Sequence, residues 1–443
     1  MEHLSFGRGP LFTFNSSVHR RLSPNVFRAI QSSLDVGHFD RPLLQNLTGF
    51  TFDQNFGGIS LRDACIFLGL RLKMLNLTIP RSRDGLRTFA TALKARCPNI
   101  ERLYISYGQH SDQVNRVVSD LICSLSSLRA VHCMNITCNS RAIKHLSSRP
   151  SLQDLHVLLP DELVQQNILD GSSNIRPFLA IQDLDITVAS IASAVEFLKV
   201  TSSSSNLESL SIIINHILPT PAQLHVALAV MQQNSFCNTL TTFVLGDNIL
   251  PTGIPLHAID GQTLAPLLQC RNLEHINIHI SYGHAAIDNS LLKDMASAWP
   301  RLRSLGLYAS DAHLWHAKAD LRGLVCLAQN CHSLESVSLQ FDVSLPPTAI
   351  YPDEAIRCEW LTQLEVACSR VSNPLAIATF LADVFPNLTL CHDHYLLSAE
   401  HSEDERPEYI EMAKRWDDII QILDARRQSL TDHNVCVQSL IYK

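Results

Sequence analysis

Twenty histidines and thirteen cysteines stand among the 443 residues, so metal and nucleophile chemistry is the first thing the spacing must support or refuse. Cys391-His392-Asp393-His394 and His313-Leu314-Trp315-His316 each gather ligand types. Neither has a Cys-x-x-Cys or His-Glu-x-x-His partner that would complete a tetrahedral zinc site. The chain carries no G-x-x-x-x-G-K-[ST] or G-x-G-x-x-G phosphate loop and no Gly-x-Ser-x-Gly elbow. No catalytic residue, metal ligand or cofactor is assigned on this basis, and the chain is not expected to be an enzyme. The remaining chemistry is that of polar side chains set out on a repeating frame.

That frame is a six-residue pattern, Leu-x-x-Leu-x-Leu or a close apolar variant. It begins at Leu47, Leu72, Ile100, Leu128, Leu152, Ile181, Leu207, Leu240, Leu273, Leu302, Leu334 and Leu361. The spacing of 24 to 33 residues lies around the upper end of the roughly 20 to 29 expected of leucine-rich repeats. The fourth and sixth residues of a hexad are two apart and share one face of an extended strand. One unit cannot bury that face alone, whereas stacked units bury it continuously. Between hexads the period changes to that of a helix, as in Leu86, Phe89, Ala90, Leu93, then Val114, Val117, Val118, Leu121, then Ile377, Phe380, Leu381, Val384. The expected fold is an α/β leucine-rich-repeat solenoid, an open curved horseshoe with parallel strands on the concave face and helices on the convex face. Its expected organisation is a connector and cap over residues 1–46, about 12 or 13 repeats over 47–395, and an acidic linker with a capping helix over 396–443. Met412, Trp416, Ile419, Ile420 and Leu423 would be the apolar face of that last helix.

On such a frame the fifth hexad position faces away from the core. It reads Thr51, Asn76, Tyr104, His132, His156, Asp185, Ser211, Val244, Asn277, Gly306, Ser338 and Glu365. Asp154 and Asp183 lie beside this row in the middle units, and His275 and His279 flank it in a later one. A second surface comes from long post-strand loops, 215–221, 247–262, 308–320 and 341–356, which carry Tyr308, Trp315 and Tyr351. Loop aromatics are enriched at interface hot spots. The candidate partner-binding residues are therefore Tyr104, His132, His156, Asp185, His275, Asn277 and His279 on the strands, and Tyr308 and Trp315 on the rim.

Composition narrows the class. The net charge is −7, the pI is near 6.3, and no basic stripe is present, which argues against nucleic acid as a partner. Apolar residues make up 46 % and charged residues 17 %. No run of 18 apolar residues occurs, so no membrane partner is expected. The first residues lack a basic start followed by an apolar stretch, and the cysteines lie in apolar contexts such as Cys97, Cys133, Cys270 and Cys331. The expected location is cytoplasmic or nuclear. The five Asn-x-Ser/Thr sequons, at Asn15, Asn46, Asn76, Asn135 and Asn387, are read as coincidental, since Asn76 falls inside a strand.

The junctions from helix to hexad are more specific. Ala95-Arg-Cys-Pro-Asn-Ile100-Glu-Arg-Leu103, Leu324-Val-Cys-Leu-Ala-Gln-Asn-Cys-His-Ser-Leu334 and Phe385-Pro-Asn-Leu-Thr-Leu390 resemble the cysteine-containing repeats of F-box leucine-rich-repeat proteins, in particular the divergent basidiomycete type. Leu22-Ser-Pro-Asn-Val-Phe-Arg-Ala-Ile30 followed by Pro42-Leu-Leu-Gln-Asn-Leu47 is similar to the segment leading from the F-box into the first repeat. The resemblance implies non-catalytic recognition of a protein substrate by the repeats of a ubiquitin-ligase adaptor. It implies Skp1 and cullin as partners only if an F-box is present upstream, since the F-box itself is missing or degenerate here. Leu22, Pro24, Val26, Phe27, Ile30 and Leu34 would be its remnant. The other readings are a free-standing repeat scaffold or inhibitor, and a small-ligand receptor.

Overall fold

In a computed structural model of the chain, the described residues are 3–6, 20–21, 43–53, 60–83, 85–160, 177–201, 204, 206–249, 258–280, 284–309, 317–344, 357–366, 369–391 and 406–441. The chain divides into two compact units. One comprises residues 1–216 and 234–236, the other 217–233 and 237–443. Both are built as α/β leucine-rich-repeat solenoids.

In the first unit the strands are β1 (His3–Phe6), β2 (Arg20–Arg21), β3 (Gly49–Phe52), β4 (Met74–Ile79), β5 (Arg102–Tyr107), β6 (Ala130–Thr137), β7 (Asp154–Leu158), β8 (Asp183–Ser190) and β9 (Ser209–Ile217). The helices between them are α1 (Leu61–Ala64), α2 (Leu86–Arg96), α3 (Asp112–Ser124), α4 (Ser140–Ser147) and α5 (Ile191–Val200). From β3 to β9 the strands lie side by side in chain order, with β1 inserted between β3 and an outer β2. The pairings from β1 to β8 are parallel. Two short strands thus lie in the stretch expected to be a connector and cap.

The second unit contains α6 (Pro221–Gln233), β10 (Thr242–Asp247), β11 (Ala258–Ile259), α7 (Gly261–Leu264), β12 (His275–Ile280), β13 (His284–Ala285), α8 (Asn289–Ala298) and β14 (Ser304–Ala309). It continues through α9 (Leu321–Asn330), β15 (Ser336–Ser338), β16 (Asp342–Val343), β17 (Gln363–Glu365), β18 (Arg370–Val371), α10 (Pro374–Val384), β19 (Thr389–Cys391) and α11 (Arg406–Ile441). Strands β10, β12, β14, β15, β17 and β19 pair in that order, all parallel. The pairs β11–β13 and β16–β18 form two small parallel sheets. Of these pieces, β11 and β16 lie inside stretches the sequence pattern left as loops. Likewise Tyr308 lies within β14 rather than at a loop tip, because the alternation of the hexad runs on for two more residues.

The hexad physics holds throughout. First, fourth and sixth positions of all twelve hexads are buried, none more than 6 % exposed. Register is set by a repeated backbone device, in which the carbonyl of hexad position two accepts the amides of positions two and three of the next repeat. Lys73 O takes Glu101 and Arg102 at 2.8 and 3.0 Å, Arg129 O takes Gln153 and Asp154 at 2.8 and 3.1 Å, and Glu274 O takes Arg303 and Ser304 at 2.7 and 3.0 Å. Helix stripes fill the other side of the core: Leu86, Phe89, Ala90 and Leu93 in α2, and Ile377, Phe380, Leu381 and Val384 in α10. In α3 the stripe turns further than the spacing suggests, so that Val114, Val118, Leu121 and Ile122 are buried while Val117 is half-exposed. Cys97, Cys133, Cys270 and Cys331 are buried as small apolar side chains.

At the C-terminal end, α11 lies against α10 and β18. Trp416, Ile419 and Leu423 are buried there. The Trp416 indole donates to Ser369 O at 2.8 Å, Arg415 donates to Val371 O at 2.7 Å, and Arg426 pairs with Asp383 at 2.8 Å. Residues 22–42, which hold the F-box-like segment, and the His313–His316 motif lie outside the described residues, as does Trp315. No helix among the described residues is long and apolar enough to cross a membrane.

Candidate functional site

Strand register converts the fifth-position row into a physical row. Thr51 pairs with Asn76, Asn76 with Tyr104, Tyr104 with His132, His132 with His156, and His156 with Asp185. Neighbouring strands are about 4.8 Å apart, and from Tyr104 to Asp185 the side chains of the row touch. The Tyr104 ring meets His132 edge-on with centroids 4.6 Å apart, and His132 stacks on His156 at 3.8 Å with the planes 9° apart.

The third-position residues complete the group, because they share the face of the fifth. Asp154 precedes His156 by two residues and lies between the two imidazoles. Its Oδ2 is 2.7 Å from His132 Nε2, and its Oδ1 is 3.2 Å from His156 Nε2. The second contact is an ion contact without hydrogen-bonding geometry, for both atoms are buried and neither has a hydrogen-bond partner. Asp183 Oδ1 stands 3.8 Å from His156 Nε2, and Asp185 Oδ2 stands 3.6 Å from His156 Nδ1. The side chains of His132, Asp154 and His156 are 23 %, 29 % and 32 % exposed. The site is therefore half-sheltered on the sheet and open to a ligand.

This packing reorders the acidities. Burial by itself would raise the Asp154 carboxyl, but the hydrogen bond with His132 and the charges of His132 and His156 outweigh it and hold it well below the usual carboxylate range. Burial would lower His156, yet Asp154, Asp183 and Asp185 together push it up to about 10. Asp185 is raised, by burial first, against the opposing pull of His156. Tyr104 is also raised, by burial and by the Asp154 charge.

β6 leaves register immediately past this group. After His132 pairs with His156, the next pairing is Thr137 with Leu158. Met134 is exposed and Asn135 takes a left-handed φ of 59°, a conformation Asn tolerates better than most residues. Such bulges re-aim side chains beside functional sites, and this one leaves the Met134 thioether exposed two residues beyond His132.

In the second unit His275, Asn277 and His279 occupy β12 and are exposed. They pair with Ser304, Gly306 and Tyr308, and among the described residues they join no cluster of this kind. Cys391 is exposed at the end of β19, and the rest of its motif falls outside the described residues. The structure thus brings together Tyr104, His132, His156 and Asp185, and adds Asp154 as the hub that the sequence reading had only placed nearby. The signal for it was the two-residue spacing Asp154-x-His156, which fixes a common face.

No family model matches the chain, and no curated protein matches it. Among solved structures it is similar to a chain of the yeast complex of Rad7 and Elc1. The identity is 16 % and the TM-score 0.43, over 83 % of this chain and 86 % of that one. At those values the likeness adds nothing to what the strands and helices already give.

Proposed function

We propose that this chain is a non-catalytic protein-recognition module, resembling the substrate-binding arm of an F-box ubiquitin-ligase adaptor, and that the open sheet face of its first unit holds the partner. The observation that supports it is the preformed row Tyr104, His132, His156 and Asp185. Each ring is already held by its neighbour, so binding would order little that is not ordered beforehand. An aromatic at one end and carboxylates at the other give the row both apolar area and acceptors, the mix found at interface anchors.

The test is a partner captured by crosslinking and identified, followed by affinities of two double variants. Tyr104→Ala with Asp185→Ala should weaken binding by about 2 kcal/mol or more, the hot-spot range. His275→Ala with His279→Ala should change it by less than about 0.5 kcal/mol. The reverse order would move the site to the second unit. The ubiquitin link rests on the family resemblance alone and is tested separately: calorimetry of this 443-residue chain against Skp1 should show weak binding or none. A micromolar complex would instead make residues 22–34 a working F-box helix.

A further inference from the structure

We propose that His132, His156 and Asp154 form a binding site for a first-row transition dication such as zinc, cobalt or nickel. The ligand atoms of the three residues all lie within 4.8 Å of one another. Asp154 reaches His132 Nε2 at 2.7 Å through Oδ2 and His156 Nε2 at 3.2 Å through Oδ1, both somewhat shorter than the separation of roughly 3.4 Å that tetrahedral bonds of about 2.0 to 2.1 Å require. The imidazole planes lie 9° apart in a stack, so both rings must turn out of that stack for their Nε2 lone pairs to converge on one ion, a change of side-chain torsions on fixed strands.

Three further observations point to a cation. Asp154 Oδ1 and His156 Nε2 are buried polar atoms without a hydrogen-bond partner, an arrangement that costs free energy unless something is coordinated there. Three carboxylates, Asp154, Asp183 and Asp185, surround two imidazoles, and among the described residues their ion pairs are with those histidines. A dication would take over from the histidine protons the balancing of these carboxylates. The outer ring is also suitable. Asp185 stands 3.6 Å from Nδ1 of His156, on the side from which an outer carboxylate, drawn in to hydrogen-bond distance, orients a metal-bound imidazole. Two nitrogens and a carboxylate suit zinc, cobalt or nickel, whereas calcium and magnesium take oxygen ligands.

The site was not legible as a motif because its ligands come from two repeats, 22 to 24 residues apart. This proposal is independent of which partner the sheet face holds, since the ion is measured on the isolated chain. The experiment titrates cobalt(II) into tag-free, chelator-stripped full-length protein kept reduced with a phosphine. Expected is one equivalent bound with visible ligand-field bands and no thiolate charge-transfer band, together with a rise in melting temperature. His132→Gln, His156→Gln and Asp154→Asn should each lose more than about tenfold in affinity, and Asp185→Asn about tenfold, as outer-ring changes do. His110→Gln, at an exposed histidine away from the cluster, should bind like the parent chain. No uptake, uptake with a thiolate band, or uptake unchanged in His156→Gln would each overturn the proposal. If the first-ligand variants melt without cooperativity, Asp185→Asn, which keeps all three ligands, decides the matter in the same way.

Discussion

The two units share one backbone plan and place their aspartates in different parts of it. In the first, Asp154, Asp183 and Asp185 stand on the open sheet face against histidines, while α3 and α4 are capped by the neutral Ser111 and Asn139. In the second, aspartates cap three helices, while Asn373 caps α10. Asp260, Asp288 and Asp320 accept from the amides of Thr263, Leu291 and Arg322 at 2.9, 2.8 and 2.8 Å. The sheet face there carries His275, Asn277 and His279 on β12 and a serine row, with Ser304 bonded to Ser336 at 2.8 Å and Ser338 to Glu365 at 2.9 Å. Charge at a helix start stabilises the fold through orphan amides and the macrodipole. Carboxylates gathered on an open face repel one another and are held there by the histidines between them, and their accumulation in one unit is the reason to read that face as functional.

The largest effect should be common to both units, because it concerns the shared core. Leu184 is fully buried and Leu305 is 1 % exposed, both at the fourth hexad position. Leu184→Asp or Leu305→Asp should each cost about 3 kcal/mol or more, combining a lost leucine with a buried unpaired carboxylate. Cooperative melting at the parent temperature in either variant would refute the register of that unit.

That register is also the part of the molecule most legible in sequence. Leucines two apart and repeated at near-constant spacing admit one strand face and one stack, and the observed burial follows them position by position. What was not legible had no such periodicity. β1 and β2 are four and two residues long and carry no hexad. The bulge after His132 depends on a left-handed Asn135 that composition cannot announce. The cluster around Asp154 was half visible: residue types and faces could be read, but contact between His132 and Asp154 depends on register between separate repeats. Aligning the hexads supplies that register, so the signal was present and unused.

A middle-sized effect should separate the faces. With a chelator present at pH 7, Asp154→Asn leaves His132 and His156 stacked without the carboxylate between them and should lose about 1 to 2 kcal/mol, a range discounted for partial exposure. Ser338→Ala in the second unit removes one bond to Glu365 and should lose about 0.5 to 1 kcal/mol. Equal losses in chemical denaturation would mean that the acidic face is no more interlocked than the serine face.

The smallest effect concerns the caps, and its sign follows from acidity. Burial would raise the Asp320 carboxyl, but the Arg322 side chain and amide and the Asn289 amide group outweigh it and lower it. A carboxylate depressed in the folded state adds stability that is fully present above its unfolded value near 4 and is lost as the pH falls through the folded value. Asn also caps helices, so Asp320→Asn should cost no more than about 1 kcal/mol at pH 7. That deficit should shrink as the solution is acidified, until variant and parent melt together. Ser111→Asn, at a neutral cap of α3, should show a difference independent of pH over the same range. If the Asp320→Asn deficit stays constant into acid, the cap acts through hydrogen bonding alone, and the contrast between charged and neutral caps in the two units carries no electrostatic weight.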